Sequence, residues 1–497
     1  MLVASVGTAL AEDLGLASIA MAEEGQKRLL FGSIEPLVSA MQQTPVDGLL
    51  PLLLNRLNQG TTLHELVAAG ALANARTFGG QDYDGYHALM ALAPSYAMAQ
   101  ELPKAQSALP VFKVLYRNTS RIQKTGGVDH ETLHELGPDA KAAQPTGEGL
   151  RDATRRQDFQ AAEATLASMS RGSLDDAYNN LQLIVQDDVN VHRVVLAWRS
   201  WALLELTGKE HALTMLRQSV RFCCDEEGGI SKRRSADPLR NLLPVLLERH
   251  GLLARTPGDR HVDEAWIEKL SHTIFADSRE AAAEAVAIAL AEGVSPEDVG
   301  EAISLAANQL VLHDPGRKKA EPGKPAGSVH GASVGVHASD AANAWRNIAR
   351  VSNPRNTFAS LVVGAYHTAG QSGQLHAKPY PFAEHREAIA SVKPESLLSE
   401  AEVAVRANDQ VRACALIHRY GSLGMPERPV FEMLLRYAIS EDGALHAEKY
   451  YRTVTEEFAA SRPTLRWHHL AGLARVTASE YGNPAPGINQ ARQLLQI

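Results

Sequence analysis

The sequence predicts an all-α, internally duplicated protein whose two pseudo-symmetric halves pack as one body, and three observations carry that prediction. Ala and Leu dominate almost every segment while aromatics are only 5 % of the chain, and Ala and Leu lose little side-chain freedom in a helix. Apolar residues recur at three- and four-residue spacing between Gly, Pro, Ser, Thr and Asp punctuation, as helix faces and caps require. A set of Gly, His, Tyr and Arg markers occurs twice in the same order, which is the mark of an internal repeat.

The chain has 497 residues, 45 % of them hydrophobic, enough for a large core. A net charge of −8 offers no broad basic field for a polyanion, so nucleic acid is not an expected partner. No apolar run approaches the roughly 20 residues that span a bilayer, and Glu12 and Asp13 interrupt an N-terminal stretch that lacks a basic start. Cys223, Cys224 and Cys414 form no CxxC pattern and read as buried thiols. A soluble, cytoplasmic protein is the expectation.

Residues 1–44 form a helical lead-in, with Leu14, Ile19, Leu29, Leu30, Ile34, Leu37 and Met41 in helical register and a break near Gly32-Ser33. The first repeat half, 45–227, opens with helices over 49–57 and 63–76, the second capped by Thr62. A helix from Asp82 or Asp84 carries Tyr86, His87, Leu89, Met90 and Leu92 and is expected to break at Pro94. Another spans 109–121. A polar loop over 124–149 contains His130 and His134, and helices follow over 152–169, 175–185, 192–206 and 210–224. A connecting segment, 228–276, includes a charged Pro/Gly turn at 255–263, and the second repeat half fills 277–497.

The repeat is read from its offsets. Gly60 lies opposite Gly293 at 233, His87 opposite His337 and Tyr116 opposite Tyr366 at 250, Asp188 and His192 opposite Asp442 and His446 at 254, and Arg217 opposite Arg475 at 258. The offset rises monotonically and the growth falls in loops, the largest step being the Gly- and Lys-rich segment 314–327.

Candidate chemistry centres on His87 and His337, each with Gly two residues before it and Ala after it. Small residues allow close helix approach, so two equivalent helices could bring these imidazoles together at a metal. The plain alternative is two separate core histidines, each bonded to a neighbouring backbone group or to a carboxylate such as Asp84 or Asp340. His330, seven residues before His337, cannot share an ion with it along one helix, and could do so only from the Gly-rich entry. His446 and Lys449 share a helix face. A neutral buried lysine can take up carbon dioxide as a carbamate, although spacing alone favours a surface lysine paired with Glu448 or Glu456. His192, the counterpart of His446, opens an apolar helix, and Val195 stands where the second half has Lys449. No P-loop or EF-hand pattern is present.

Tyr86-His-Ala-Leu-Met-Ala-Leu-Ala, the run from His330 to His337, Leu361-Val-Val-Gly-Ala-Tyr-His-Thr-Ala-Gly, and Asp442-Gly-Ala-Leu-His-Ala-Glu-Lys-Tyr-Tyr resemble the questin oxidase-like family. The resemblance is scattered over 80–470 in short motifs. It implies an all-helical non-haem iron oxygenase, with His446 and the carbamate of Lys449 as ligands, joined by His87, His337 and His192 or His330. The partners it implies are dioxygen and a small, aromatic or polycyclic substrate, and self-association into a homo-oligomer is left open. The chain departs from the family in having one His in Asp82-Tyr-Asp-Gly-Tyr-His87, and in Trp467-His-His. The competing expectations are a non-catalytic helical scaffold for a protein partner and a haem or small-molecule carrier.

Overall fold

The computed structural model describes residues 27–137, 145–233, 235–321, 325–329, 333–371, 375–376 and 378–497. Helices make up the regular structure, and the only β pairings among the described residues are isolated bridges. Among them no helix is long and apolar enough to cross a membrane.

The first series comprises α1 (Glu35–Gln43), α2 (Val46–Asn58), α3 (Leu63–Phe78), α4 (Tyr83–Gln100), α5 (Ala108–Lys124), α6 (Gly147–Arg155), α7 (Phe159–Ser170), α8 (Leu174–Val185), α9 (Val191–Ala202) and α10 (Ala212–Arg233). After α11 (Leu239–Arg249) the second series runs α12 (Glu264–Ala276), α13 (Arg279–Ala291), α14 (Pro296–His313), α15 (Val334–Val351), α16 (Pro354–Ala369), α17 (Leu397–Arg406), α18 (Gln410–Ser422), α19 (Arg428–Ser440), α20 (His446–Ala460), α21 (Trp467–Glu480) and α22 (Ile488–Leu495).

The packing of the two series runs in parallel. α3 packs on α4 and α4 on α5, as α14 packs on α15 and α15 on α16; α9 packs on α10 as α20 packs on α21. Across the halves α4 meets α20 and α9 meets α15, which is the exchange a twofold relation between the series would produce. One hydrophobic cluster runs through both series, from Phe31 to Ala491. The three cysteines are free and buried, Cys223 and Cys224 in this cluster and Cys414 in a small separate one with Leu312 and Ala471.

Local chemistry explains where the observed helices depart from the expected ones. α4 continues through Pro94 to Gln100. Pro94 sits among residues buried on both sides, with Leu92 and Ser95 fully buried and the Ser95 hydroxyl donating to the Leu92 carbonyl at 2.7 Å, so packing outweighs the one backbone bond that proline removes. The expected helix over 152–169 is instead two, because Gln157 adopts a left-handed φ of 59° and Asp158 caps the next helix by accepting from Ala161 N at 3.0 Å. Gly228 and Gly229 do not end α10, so the division expected after residue 227 falls inside a helix. Of the lead-in, residues 1–26 lie outside the described residues.

A buried ion pair ties the halves together. Lys113 of α5 places Nζ 2.6 Å from Glu448 Oε1 on α20, with both side chains fully buried. The same ammonium donates to the carbonyls of Ala438 at 2.8 Å and Glu441 at 2.6 Å. Removing one partner strands a buried charge, so Lys113→Ala is expected to lose about 3–5 kcal/mol of stability. In urea unfolding, the volume-matched pair Lys113→Met with Glu448→Leu is expected to recover most of that loss.

Candidate metal centre

Four histidines converge where the halves meet, and each lies within the first five residues of its helix: His87 on α4, His192 on α9, His337 on α15 and His446 on α20. Ring centroids stand 4.7 Å apart for His87 and His192, 5.1 Å for His87 and His446, 5.7 Å for His192 and His337, and 5.2 Å for His337 and His446. The closed circuit alternates contacts within one half with contacts across halves. His87 and His446 are buried, whereas His192 and His337 are partly open on one side.

Each ring is aimed by its own helix start. Asp82 caps α4 by accepting from Gly85 N at 2.7 Å and is held by Arg121 at 2.6 Å. A Cβ on Gly85 would stand 2.5 Å from the Phe78 ring, and one on Gly335 would stand 2.4 Å from the Val311 backbone nitrogen. The two glycines noted in sequence are therefore close-approach positions that seat α4 on α3 and α15 on α14. Asn190 caps α9 through His192 N at 2.8 Å. His446 follows a left-handed turn in which Gly443, Ala444 and Leu445 have φ of 48°, 46° and 66°. For Ala and Leu this conformation costs of order 1–2 kcal/mol each, and it presents the Ala444 carbonyl to His446 Nδ1 at 3.1 Å.

Those backbone contacts decide the tautomers. His87 Nδ1 donates to the Tyr83 carbonyl at 2.7 Å, which leaves Nε2 with its lone pair; that atom is buried and has no hydrogen-bond partner, nor does His192 Nε2. With Nδ1 of His446 donating to Ala444, its Nε2 also carries a lone pair, and it lies 3.1 Å from His337 Nε2. Burial, then the Lys449 ammonium, holds His87, His192 and His337 neutral. His192 is pushed down to about 3 and His337 to about 4, and His87 falls well below the usual imidazole range. The positive ends of four helix dipoles act in the same direction.

Lys449 stands one turn beyond His446 and is buried, which corrects the surface-lysine expectation drawn from spacing. Burial lowers its ammonium to about 8, against the opposing pull of Asp340 and Glu448. Asp340, one turn beyond His337, is itself buried, accepts from Thr453 at 2.8 Å, and is raised by burial above the usual carboxylate range. His87 and His337 thus do not pair with Asp84 or Asp340. His330 lies outside the described residues.

Among the described residues, no group of three or more His, Cys, Asp or Glu side chains is already set at coordination distances. Only the His337–His446 pair has the spacing of adjacent ligands, since two nitrogens about 2.1 Å from one ion and at right angles lie about 3.0 Å apart. Two other spacings in the chain lack the context their chemistry needs. His130-Glu-Thr-Leu-His134 has HExxH spacing but lies outside any helix, and Glu131 is engaged by Arg28 at 2.8 Å. Gly331-Ala-Ser-Val-Gly335 has GxSxG spacing, yet Ser333 caps α15 and donates to Asp314 at 2.7 Å.

Residues that sequence reasoning passed over complete the surroundings. Tyr83 and Tyr86 stand 4.4 and 5.0 Å from the His87 ring, and Tyr83 is exposed. Beyond the histidines along α4, α9 and α20 lies a cavity of about 500 Å³ bounded by Tyr96, Trp198, Arg199, Trp201, Arg452 and Glu456. A larger one, about 620 Å³, sits at the opposite end of α3 beside Arg56 and His211, remote from the four imidazoles.

Comparison with family models, with curated proteins and with solved structures gave no match.

A buried neutral histidine binds fewer protons folded than unfolded, so its contribution is full above the ordinary value of 6.5 and is lost as pH falls toward 4 for His337. Thermal melts of metal-free protein are expected to drop in midpoint across that window, and the double variant His192→Gln, His337→Gln to show a shallower slope. Relief of the left-handed strain predicts that Ala444→Gly raises stability by about 1 kcal/mol in urea unfolding.

Proposed function

We propose that this protein is a metal-dependent oxidoreductase, an oxygenase that holds non-haem iron among His87, His192, His337 and His446 with the carbamate of Lys449 as an oxygen ligand. The observation that carries this reading is the cluster of four imidazoles, in which Nε2 of His87 and of His192 are buried without a hydrogen-bond partner and Nε2 of His337 lies 3.1 Å from that of His446, with a buried lysine one turn below. With His446 Nε2 as acceptor, His337 Nε2–H donates to it at 3.1 Å, and a cation can take the place of that proton. Neutral imidazole with one anionic oxygen is a donor set suited to iron(II). Iron bound there supplies the activation of dioxygen.

The side chains of this protein do the rest. The Tyr83 and Ala444 carbonyls fix the tautomers of His87 and His446, so those rings offer Nε2 without first losing a proton. Burial raises the share of neutral amine on Lys449, the form that reacts with carbon dioxide. Tyr83 and Tyr86 give the partly open side an aromatic wall against which a small aromatic or polycyclic molecule can stack. The resemblance to the questin oxidase-like family, carried by the residues quoted above, points to the same substrate class. The paired contacts of the two series support an internal duplication, with the site on its axis. Three free, buried thiols fit a reducing cytoplasm.

The geometry speaks against a haem carrier that ligates through His337 and His446. Axial nitrogens on opposite faces of one iron stand about 4 Å apart at ordinary metal–nitrogen lengths, and these two stand at 3.1 Å.

Protein purified without oxygen is expected to contain about one iron per chain, and His337→Ala and His446→Ala to lose at least about tenfold in iron affinity, the usual cost of a ligand being larger than that of its outer partner. Negligible iron, or iron content unchanged in both variants, sinks the proposal, and a Soret band would favour the carrier instead.

A further inference from the structure

Among the four histidine-bearing helices, α20 starts differently. Asp82, Asn190 and Ser333 cap α4, α9 and α15 with their side chains, whereas Leu445, the residue before α20, gives no side-chain cap. The turn ahead of it, Gly443–Leu445, is left-handed, and for Ala444 and Leu445 that conformation persists only where surrounding contacts over-determine it. Those contacts come from distant parts of the chain.

They arrive from two directions. One is α5, from which Lys113 donates to the Glu441 carbonyl at 2.6 Å and Arg117 pairs with the Asp442 carboxylate. The other is the segment that follows α21. Glu441 is buried, and its carboxylate accepts from Gly482 N at 2.9 Å, from Asn483 N at 2.8 Å and from the Ser440 hydroxyl at 2.9 Å. Asp442 N donates to the Asn483 carbonyl at 2.7 Å, Ala485 N donates to the Ser440 carbonyl at 2.9 Å, and Glu441 and Pro484 form an antiparallel bridge. The segment then turns at Gly487, where φ is 77° and a Cβ would stand 2.8 Å from the Tyr116 ring. It runs into α22, which packs on α5 and α2 with Ile488 and Ala491 buried.

Both sets of contacts refer to α5. Arg121, about two turns beyond Lys113 on that helix, also holds Asp82, the cap of the helix that carries His87. One helix of the first series is thus the common base for the starts of α4 and α20, whose histidine rings stand 5.1 Å apart. We propose that Glu441 is a positioning residue for His446 and that residues 481–495 are the strap through which it acts. Released from Gly482 and Asn483, the 441–445 run relaxes toward right-handed backbone, which shifts the start of α20 and takes His446 Nε2 from its place 3.1 Å from His337 Nε2. The part that concerns a metal rests on the reading of His446 as a ligand; the part that concerns the turn stands without it.

The test compares metal-free wild type with Glu441→Ala and Gly487→Val, by amide hydrogen exchange and by titration with cobalt(II) followed in the visible spectrum. Gly487→Val disturbs the far end of the strap and removes none of the bonds to the turn. Both variants are expected to exchange the amides of 442–446 about tenfold faster, the scale of one buried hydrogen bond, with those of 194–196 on α9 unchanged. Cobalt affinity is expected to fall about tenfold in each. Glu441→Gln, which keeps an accepting oxygen, is expected to recover part of both effects. Wild-type exchange at 442–446 in Glu441→Ala overturns the role of Glu441, and in Gly487→Val that of the strap. An equal rise at 194–196 overturns both, because general destabilisation gives that result. Faster exchange with cobalt affinity unchanged overturns the positioning of His446. If wild type itself binds no cobalt, the metal reading fails and the exchange comparison alone decides the strap. Should Glu441→Ala not fold, Glu441→Gln takes its place, and exchange equal to wild type in it overturns the role of Glu441.

Discussion

Four helix N-termini meet at one point in this protein and each delivers an imidazole, three of which, those of His87, His192 and His337, burial keeps neutral. The remainder of the structure serves that constraint. A positive dipole end and a low-dielectric interior both penalise a protonated histidine, so four such rings can share one small volume only as neutral bases with lone pairs to spare. Nothing in the surrounding core satisfies Nε2 of His87 or His192. An arrangement that leaves buried nitrogen lone pairs unmet loses stability.

Elements that contribute no donor nonetheless fix the ring. Gly85 and Gly335 let α4 and α15 sit against their neighbours at distances a side chain would forbid. The left-handed run from Gly443 to Leu445 spends backbone strain to start α20 where His446 reaches the centre. The Lys113–Glu448 pair locks α5 of one half onto α20 of the other, so the turn ahead of His446 is braced from below. A left-handed run and a buried ion pair thus both lie within a few residues of His446.

The polar layers beneath the ring follow from the same helix faces. Each helix that gives a histidine gives a second residue one or two turns on, and these are chemically unequal: Asp340 from α15, Lys449 from α20, Val195 and then Arg199 from α9. The four histidines are alike and the residues that follow them are not, so the buried Lys449 on α20 makes the surroundings of the ring asymmetric.

The helical class and most helix positions were legible in the chain because they follow from local periodicity and caps, which neighbouring residues alone decide. His87, His337 and the His446–Lys449 face could be named for the same reason, as could the closeness implied by Gly85 and Gly335. Pro94 and Gly228 misled because tertiary burial outweighs a single breaker. Whether Lys449 faced water or the interior was not a local question: its spacing fits Glu456 on the surface equally well, and only the docking of α20 against α4 and α15 buries it. The completion of the ring by His192 and the meeting of residues more than 350 apart in sequence, such as His87 and His446, were decided by the tertiary structure alone, since they depend on how distant helix faces come into register.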